Sequence, residues 1–525
     1  MNRISIYDST LRDGAQAQGI SYSVEDKIKI IQRLDALGID YVEAGNPGSN
    51  PKDLEFFERV KALRLQHSRI IAFGSTRKVG ADVAGDSNVL SLLQAGTSAI
   101  AIFGKSWDYQ VTDILRTTLD ENLRMIGDTI RHLKQHGREV VYDAEHFFDG
   151  YKANADYALQ TLAVAAEAGA DCLCLCDTNG GTFPHDIAEI TRTVKGRFAV
   201  TIGIHCHNDG EMAVANSITA VQVGATQVQG TINGIGERCG NANLCSIIPN
   251  LQIKLGYNCI PAERLEQLTS LSRAVSEITN MPHNEKAAYV GGDAFAHKGG
   301  MHIDAVVKSP ASYEHIDPDK VGNSRRMLMS EVAGRSTLMT RINAVDPGLG
   351  KDAPETQQII DRLKELEHEG YQFEAAESSF ELVVRKILGK YQPFFELKEY
   401  KVIVNEPSIN GVNSSAMIKV RVGDQEEITA AEGDGPVNAL DNAVRKALER
   451  FYPEISEIRL TDYKVRVLDS DQASAARVRV LIESTDHREN WTTIGVSTDV
   501  IDASWRALVD SIEYKLMREQ ERNIA

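Results

Sequence analysis

The sequence predicts an α/β fold, a TIM (β/α)8 barrel followed by helical linker subdomains and an α+β C-terminal domain. Two observations predict it. The first half of the chain repeats one unit eight times: a short apolar run, a polar or glycine-bearing tip and an amphipathic stretch. Near residue 390 the pattern changes to alternating, strand-like runs that are interleaved with two helices. Eight strands that alternate with helices is the count of a TIM barrel.

The eight apolar runs are short, as strands are, and polar residues follow most of them. They are residues 4–8, 41–45, 70–76, 99–105, 140–146, 172–178, 200–209 and 226–234. The stretches between them have helical spacing: Glu25 to Leu37 is apolar every third or fourth residue, and Gly38 follows as a stop signal. An alanine-rich stretch from Ala153 to Ala168 ends at Gly169 in the same way.

Beyond about residue 260 the chain has helical stretches around a polar, histidine-bearing segment, residues 294–326, which is too polar for a barrel wall. The C-terminal strand-like runs begin at Tyr400, Ala416, Tyr463 and Arg477, and the two helical stretches are residues 436–451 and 500–516. Their arrangement suggests an internal duplication. We therefore expect a barrel at 1–262, linker subdomains at 263–390 and a C-terminal domain at 391–525.

Composition excludes several classes of function. A formal net charge of -17 argues against a nucleic-acid partner, which would require clustered lysine and arginine. The N-terminus has no signal-peptide pattern, and no run reaches about 18 consecutive apolar residues, so we expect a cytoplasmic protein without a membrane partner. Cys172, Cys174 and Cys176 alternate along one strand face, where buried small side chains are a simpler interpretation than a metal site.

A candidate metal centre lies at the predicted C-terminal ends of the barrel strands. His205 and His207 are two residues apart on a strand and project to the same side, although a single histidine is more often a core or surface residue. Asp13 in the tip of the first strand could add a carboxylate, although Asp-Gly is also a common turn. Asn241, in a glycine-rich loop after the eighth strand, could complete or support the shell. Such a set suits a divalent cation with open positions.

Three motifs together, RDGAQ, HCHND and NGIGERCGNAN, resemble the signatures of the DRE-TIM metallolyases, in particular the branch of 2-isopropylmalate, homocitrate and citramalate synthases. The resemblance implies that Asp13, His205 and His207 bind the metal and that Asn241 lies close to it. It also implies that Arg12 stabilises the oxyanion of the substrate and that Thr178 contacts the keto acid.

Further residues are assigned by the same resemblance. Glu145, at the end of the fifth strand, matches the catalytic carboxylate of the family, although an exposed glutamate at a strand end is often inert. His302 and Tyr313 would complete a Glu-His-Tyr acid-base set from the partner subunit. Phe103 and Tyr142, which the resemblance does not assign, are candidate walls of the keto-acid pocket.

The implied activity is condensation of acetyl-CoA with a small 2-keto acid, assisted by Mn²⁺, Mg²⁺ or Zn²⁺. Pyruvate is the expected keto acid, which would place the reaction in isoleucine biosynthesis. The C-terminal region resembles an allosteric domain, so we expect isoleucine as an effector and a homodimer. Alternatives are a 2-isopropylmalate or homocitrate synthase, a carbon-carbon lyase on the same barrel, and a non-catalytic amino-acid sensor.

Overall fold

The structure, a computed structural model, describes residues 3–48, 51–327, 339, 342–343, 345–350, 353–373, 376–409, 412–468, 476–486 and 489–524. The chain divides into two compact units. The first comprises Met1–Ala296 and Glu314–Arg326, and the second comprises His297–Tyr313 and Met327–Ala525. Among the helices of these described ranges, none is long and apolar enough to cross a membrane.

The first unit contains a closed barrel of eight parallel strands in sequential order, as predicted. The strands are β1 (Ser5–Asp8), β2 (Tyr41–Gly45), β3 (Arg69–Ser75), β4 (Ala99–Lys105), β5 (Glu139–Glu145), β6 (Cys172–Asp177), β7 (Thr201–Cys206) and β8 (Gln227–Gly230). Pairing of β1 with β8, Ser5 opposite Gln227, closes the barrel. Each of the eight predicted runs overlaps one of these strands; six runs contain their strand, and β3 and β5 begin one residue before theirs.

Helices surround this barrel. They are α1 (Val24–Leu37), α2 (Pro51–Val60), α3 (Ser87–Gln94), α4 (Leu119–Gln135), α5 (Phe147–Ala153), α6 (Ala155–Glu167), α7 (Pro184–Arg197), α8 (Ala213–Gln222), α9 (Leu244–Pro249) and α10 (Leu268–Thr279). Helix α1 begins at a capping box between Ser23 and Asp26 and ends at Gly38, which is left-handed with φ 97°. The alanine-rich stretch is interrupted at Asn154, which caps α6 through the Tyr157 amide.

Side chains of strands β1 to β6 alternate between an inner and an outer apolar cluster. On β5, Val141 belongs to an inner cluster that also contains Cys172, Cys174 and Cys176, whereas Tyr142 and Ala144 belong to the outer cluster with the surrounding helices. Burial raises the pKa of the Cys174 thiol well above its ordinary value, because a thiolate would lose its hydration there. The three cysteines are therefore neutral, apolar packing groups.

The second unit begins with α11 (Gly300–Lys308), and two short strands, β9 (Ala296–His297) and β10 (Arg326–Met327), lie at its junctions with the first unit. Helices α12 (Pro354–Glu369) and α13 (Glu377–Ile387) share an apolar cluster that includes Leu363 and Phe380.

Two similar halves follow in the second unit, as the sequence suggests. The first is β11 (Glu396–Ile409), β12 (Val412–Val422), β13 (Gln425–Gly433) and α14 (Pro436–Leu448); the second is β14 (Arg459–Val467), β15 (Val478–Thr485), β16 (Asn490–Ser497) and α15 (Val500–Ile524). Each half is a three-stranded antiparallel sheet followed by a helix. The strand-like runs predict four of these six strands, and β13 and β16 were not predicted.

Candidate metal centre and active site

Three side chains converge at the C-terminal end of the barrel. The Nε2 atoms of His205 and His207 each lie 3.9 Å from Oδ2 of Asp13. All three residues are buried, and one ligand atom from each lies within 4.8 Å of the other two. The two histidines reach the same point because they are two residues apart at the end of β7. Asp13 arrives from the turn after β1.

Asn241 supports this cluster from the loop after β8. Its Nδ2 donates to Oδ1 of Asp13 at 2.8 Å, and its own Oδ1 is buried with no hydrogen-bond partner among the described residues. A Cβ on Gly236 would stand 2.1 Å from this Nδ2, so only glycine allows the loop to pass so close. The unpaired amide oxygen is a further oxygen donor at the cluster.

The protonation states of the cluster suit a cation. Burial, together with the neighbouring His205, lowers the pKa of His207 to about 4, which leaves its imidazole neutral at pH 7. Burial opposes ionisation of Asp13, but Arg12 and the two imidazoles hold the pKa of its carboxyl well below the ordinary range. Two imidazoles, a carboxylate and an unpaired amide oxygen form a donor set that fits a divalent cation.

Arg12 is fixed beside the cluster by two carboxylates. Its Nε donates to Glu43 at 2.5 Å and its Nη1 donates to Asp13 at 2.9 Å. Its guanidinium carbon also lies 3.8 Å from the ring centroid of Phe73, which gives a cation–π contact. Glu43 is fully buried and also accepts from the hydroxyls of Tyr7 and Ser9. The guanidinium is thus held in one orientation at the barrel mouth.

Glu145 ends β5 at the same end of the barrel. Its carboxylate forms an ion pair with Lys105, which ends the neighbouring strand β4 directly opposite it in register. The ring of Phe103, two residues before Lys105 on β4, stacks against that of Phe73 with centroids 5.4 Å apart. These contacts place Phe103 in an aromatic pair beside Arg12.

Thr178 lies in the loop after β6, where two contacts hold it. Its hydroxyl oxygen accepts from the backbone amide of His146 at 2.8 Å, and its carbonyl accepts from Arg238 at 2.6 Å. Arg238 also donates to both carboxylate oxygens of Asp209, at 2.8 and 3.0 Å. The hydroxyl proton of Thr178 is not used in the first contact, because that oxygen accepts.

The structure does not bring Tyr142 to the barrel mouth. Its side chain is fully buried in the outer cluster, and its hydroxyl lies 3.3 Å from Oγ of Ser106. The reason is parity: Tyr142 is three residues from Glu145, so the two side chains project from opposite faces of β5. The expectation that Tyr142 forms a wall of the keto-acid pocket is therefore withdrawn.

His302 and Tyr313 belong to the second unit and are brought together there. Their rings are stacked, with centroids 4.1 Å apart and planes inclined by 26°, and both side chains are exposed. His302 lies on α11, and Tyr313 follows the short 3₁₀ turn Pro310–Ser312.

Sequence reasoning missed four polar residues around the site: the buried Glu43, Asp143 and Gln229, and the half-buried Lys105. Gln229 on β8 accepts from His205 and donates to Asp143. Burial, and then the charge of Glu43, raise the pKa of the Asp143 carboxyl above its ordinary value. A signal for three of them was available, since each of Glu43, Asp143 and Gln229 is a polar residue between two nonpolar neighbours in a predicted strand.

Comparison with known proteins agrees with this arrangement. A family described as HMGL-like matches residues 3–275, one described as homocitrate synthase post-HMGL domain-like matches 289–371, and the LeuA allosteric (dimerisation) domain matches 374–516. An (R)-citramalate synthase of Aquifex aeolicus is 52% identical over 524 residues, covering 99% of both chains. The chain belongs to the (R)-citramalate synthase family. Relatives of the same name from Geobacter sulfurreducens and Synechocystis sp. are each 51% identical, covering 99% and 97% of this chain and 99% and 96% of their own.

Membership of the (R)-citramalate synthase family makes this protein an enzyme, with an HMGL-like barrel and a C-terminal allosteric domain. The sensor interpretation without catalysis is set aside. The motifs that suggested the DRE-TIM metallolyase branch lie inside the matched HMGL-like range.

Proposed function

We propose that this enzyme condenses acetyl-CoA with pyruvate, hydrolyses the resulting thioester and releases (R)-citramalate and CoA. The observation that carries the proposal is the convergence of Asp13, His205 and His207 beside the fixed guanidinium of Arg12. Relatives at 44–52% identity that carry the name (R)-citramalate synthase support the choice of product.

The cofactor in this proposal is a divalent cation, Mn²⁺, Mg²⁺ or Zn²⁺, held by Asp13, His205 and His207 with Asn241 as a further oxygen donor. When bound, such a cation polarises the carbonyl of a chelating 2-keto acid. Arg12 stabilises the negative charge that develops on the keto oxygen during attack, because its guanidinium cannot deprotonate or turn away. The Thr178 hydroxyl donates its free proton to the carboxylate of the keto acid.

The proposed base removes a proton from the methyl group of acetyl-CoA. Glu145 fills this role, with Lys105 holding its carboxylate in place. The resulting carbon nucleophile attacks the keto carbon, and water then cleaves the thioester to CoA and a carboxylate. We assign His302 and Tyr313, supplied by the second subunit of a dimer, to complete the acid-base set. Their stacked, exposed rings support a shared role.

Selection of pyruvate is proposed to depend on the aromatic pair of Phe73 and Phe103. Two large rings beside Arg12 leave less room for a branched or long keto-acid side chain than for a methyl group. One extra methylene in such a pocket changes the barrier by only about 1 to 3 kcal/mol, so 2-ketoisovalerate and 2-ketoglutarate are the competitors to test.

The deciding experiment measures thiol release from acetyl-CoA with each keto acid in turn, with Mn²⁺ or Mg²⁺ and again with a chelator. Pyruvate-selective release that the chelator abolishes supports the proposal. Preference for 2-ketoisovalerate or 2-ketoglutarate moves the assignment to a 2-isopropylmalate or homocitrate synthase. Cleavage of citramalyl-CoA without any condensation would instead favour a lyase.

The metal site has its own test. Asp13→Asn and His207→Ala are expected to lose both bound Mn²⁺ and turnover, whereas His185→Ala, at an exposed histidine on α7, keeps both. Normal turnover in a variant that binds no metal would contradict the proposal.

We further propose that the C-terminal region binds isoleucine as an end-product effector and joins two subunits. Dimerisation is supported by apolar side chains that its strands leave exposed within one chain, such as Ile403, Ile428 and Val467 at 57, 59 and 52%. Initial rates with isoleucine, and with leucine and valine as controls, test the effector. Sedimentation equilibrium of Ile428→Lys against wild type tests the dimer, since a buried lysine would weaken it.

The domain boundaries 1–262, 263–390 and 391–525 also stand as a proposal. The matched family ranges support the three-part division, with the first range ending at 275 and the third beginning at 374. Isoleucine biosynthesis is the pathway we infer from the effector and the product. A cytoplasmic location is proposed because all seven cysteines are free, which suits a reducing compartment. Fractionation of the source cells with the enzyme's activity as marker checks it.

A further inference from the structure

Gln229 connects a metal-binding histidine to a buried carboxylate. It lies on β8 and is fully buried, directly opposite His205 of β7 in the strand register. Its Oε1 lies 2.9 Å from Nδ1 of His205, and its Nε2 donates to Oδ1 of Asp143 at 2.9 Å. Asp143 comes from β5, so the three side chains cross the barrel interior below the metal cluster.

The chain of hydrogen bonds has one favourable direction. An ionised carboxylate only accepts, so Asp143 requires the amide nitrogen of Gln229 on its side. The amide oxygen then faces His205, and because that oxygen also only accepts, Nδ1 of His205 must carry the imidazole proton. The bare nitrogen of the ring is consequently Nε2, the atom that faces Asp13 at 3.9 Å. The reverse amide orientation would set two oxygen acceptors, those of Gln229 and Asp143, against each other.

His207 provides an internal contrast. Its Nδ1 is buried and has no hydrogen-bond partner in the part of the chain that the structure describes. Of the two imidazoles, only that of His205 is therefore oriented from behind by a polar side chain. Loss of such an outer-shell partner typically weakens metal affinity by about 10- to 100-fold.

We propose that Gln229 is a positioning residue which, anchored by Asp143, fixes the proton of His205 on Nδ1 and presents its bare Nε2 to the divalent cation. The inference rests on the proposed function only in that it takes Asp13, His205 and His207 as the metal ligands. It assigns no direct contact with substrate to Gln229. A purely structural role, satisfying buried polar atoms, would stabilise the barrel without setting the tautomer of His205.

The barrel offers a matched control. Gln227 lies two residues earlier on the same strand and the same face, and it is also buried, but it bonds to the thiol of Cys172 rather than to a metal ligand. Gln229→Met and Gln227→Met therefore make the same chemical change on the same face of one strand, and only the first removes the acceptor from His205.

The first measurement is titration of the metal-free, full-length enzyme with Mn²⁺, with free Mn²⁺ followed by electron paramagnetic resonance. Gln229→Met is expected to bind Mn²⁺ about 10- to 100-fold more weakly than wild type, and Gln227→Met to bind it as wild type does. Turnover of Gln229→Met should recover at saturating Mn²⁺. Equal affinity in a folded Gln229→Met variant, or equal weakening in both variants, overturns the inference.

The second measurement is made on the wild type, and a variant serves only to assign its signal. Long-range ¹H–¹⁵N spectra of the ¹⁵N-histidine-labelled, metal-free wild type report which nitrogen of His205 carries the proton, and a His205→Gln sample assigns the signal. The expected form is Nδ1–H. An Nε2–H form overturns the inference even when Mn²⁺ binds normally. Absence of saturable Mn²⁺ binding by the wild type would instead refute the proposed metal site, so the two failures are distinguishable.

Discussion

Replacing Glu43 by glutamine tests the buried network that orients Arg12. The substitution keeps the size of the side chain and removes its charge. Glu43 is fully buried and accepts from Tyr7, Ser9 and Arg12, so an amide NH₂ placed there would face at least one of these donors. Removing one partner of a buried ion pair costs about 3 to 5 kcal/mol, because the other charge is left uncompensated. Asp13 still pairs with Arg12, so we expect the free energy of unfolding to fall by about 3 kcal/mol, the lower end of that range.

The assay is urea unfolding of the metal-free enzyme in a background in which Trp491 and Trp505 are replaced by phenylalanine. The fluorescence of Trp107 then reports the barrel alone, since the chain has three tryptophans. Tyr7→Phe is the control, because it removes one hydrogen bond to Glu43 and should cost about 1 kcal/mol. A Glu43→Gln barrel that is destabilised no more than the Tyr7→Phe barrel would refute the argument that the charge of Glu43 holds Arg12 in place.

Three further predictions follow from contacts described above. Lys105→Met removes the cation paired with Glu145 and should lower turnover by up to about 100-fold, because the carboxylate is then misplaced. Lys105→Arg keeps the ion pair and is the control. Equal rates of thiol release by the two variants would contradict this prediction. His302→Ala should lower turnover by about 100-fold and leave Mn²⁺ affinity unchanged, and a wild-type rate would remove it from the mechanism. Burial raises the pKa of Glu513 from its ordinary 4.5 to about 7, so the folded state binds the extra proton and wild-type stability falls as the pH rises through this window. By urea unfolding, Glu513→Gln should therefore have a free energy of unfolding up to about 3 kcal/mol higher than wild type at pH 8, and nearly the same value as wild type at pH 4.5. An equal increase at both pH values would exclude the titration of Glu513 as its cause.

The barrel could be predicted from the sequence because its strands are buried on both faces. Such strands form short, mostly apolar runs that stand out between amphipathic helices; β8, with two glutamines among its four residues, is the least apolar of them. Strand β13 was missed for the opposite reason. Its sequence, QEEITAAEG, alternates between exposed and half-buried positions, and its backbone pairing with β12 rather than apolar content fixes it as a strand. Strand β16 was missed in part because it contains Gly495, which lowers strand propensity. Glycine is needed at this position, because a Cβ there would stand 2.0 Å from the carbonyl oxygen of Ala503 in α15.

Local sequence motifs indicate the candidate metal ligands but not the side chains that contact them from other strands. His205 and His207 are candidates from their spacing at the end of a predicted strand, and Asp13 from its position after another strand; the family resemblance joins them into one ligand set. The side chains behind His205 come from other strands: Gln229 lies 24 residues from His205, and Asp143 lies 86 residues from Gln229. No local pattern joins such positions, although strand register does once the barrel is known. Tyr142 shows the converse, since strict alternation along the strand from Glu145 is enough by itself to exclude it from the pocket.

The contacts of Arg238 connect three loops that are far apart in sequence. Its guanidinium, from the loop after β8, donates hydrogen bonds to the carboxylate of Asp209 after β7 and to the carbonyl of Thr178 after β6. In a redesign of this enzyme toward another keto acid, the three loops should be treated as one structural unit, because Arg238 joins them. A library that randomises the Thr178 loop alone leaves its neighbours fitted to the original shape, so productive variants should require exchange of the three loops together.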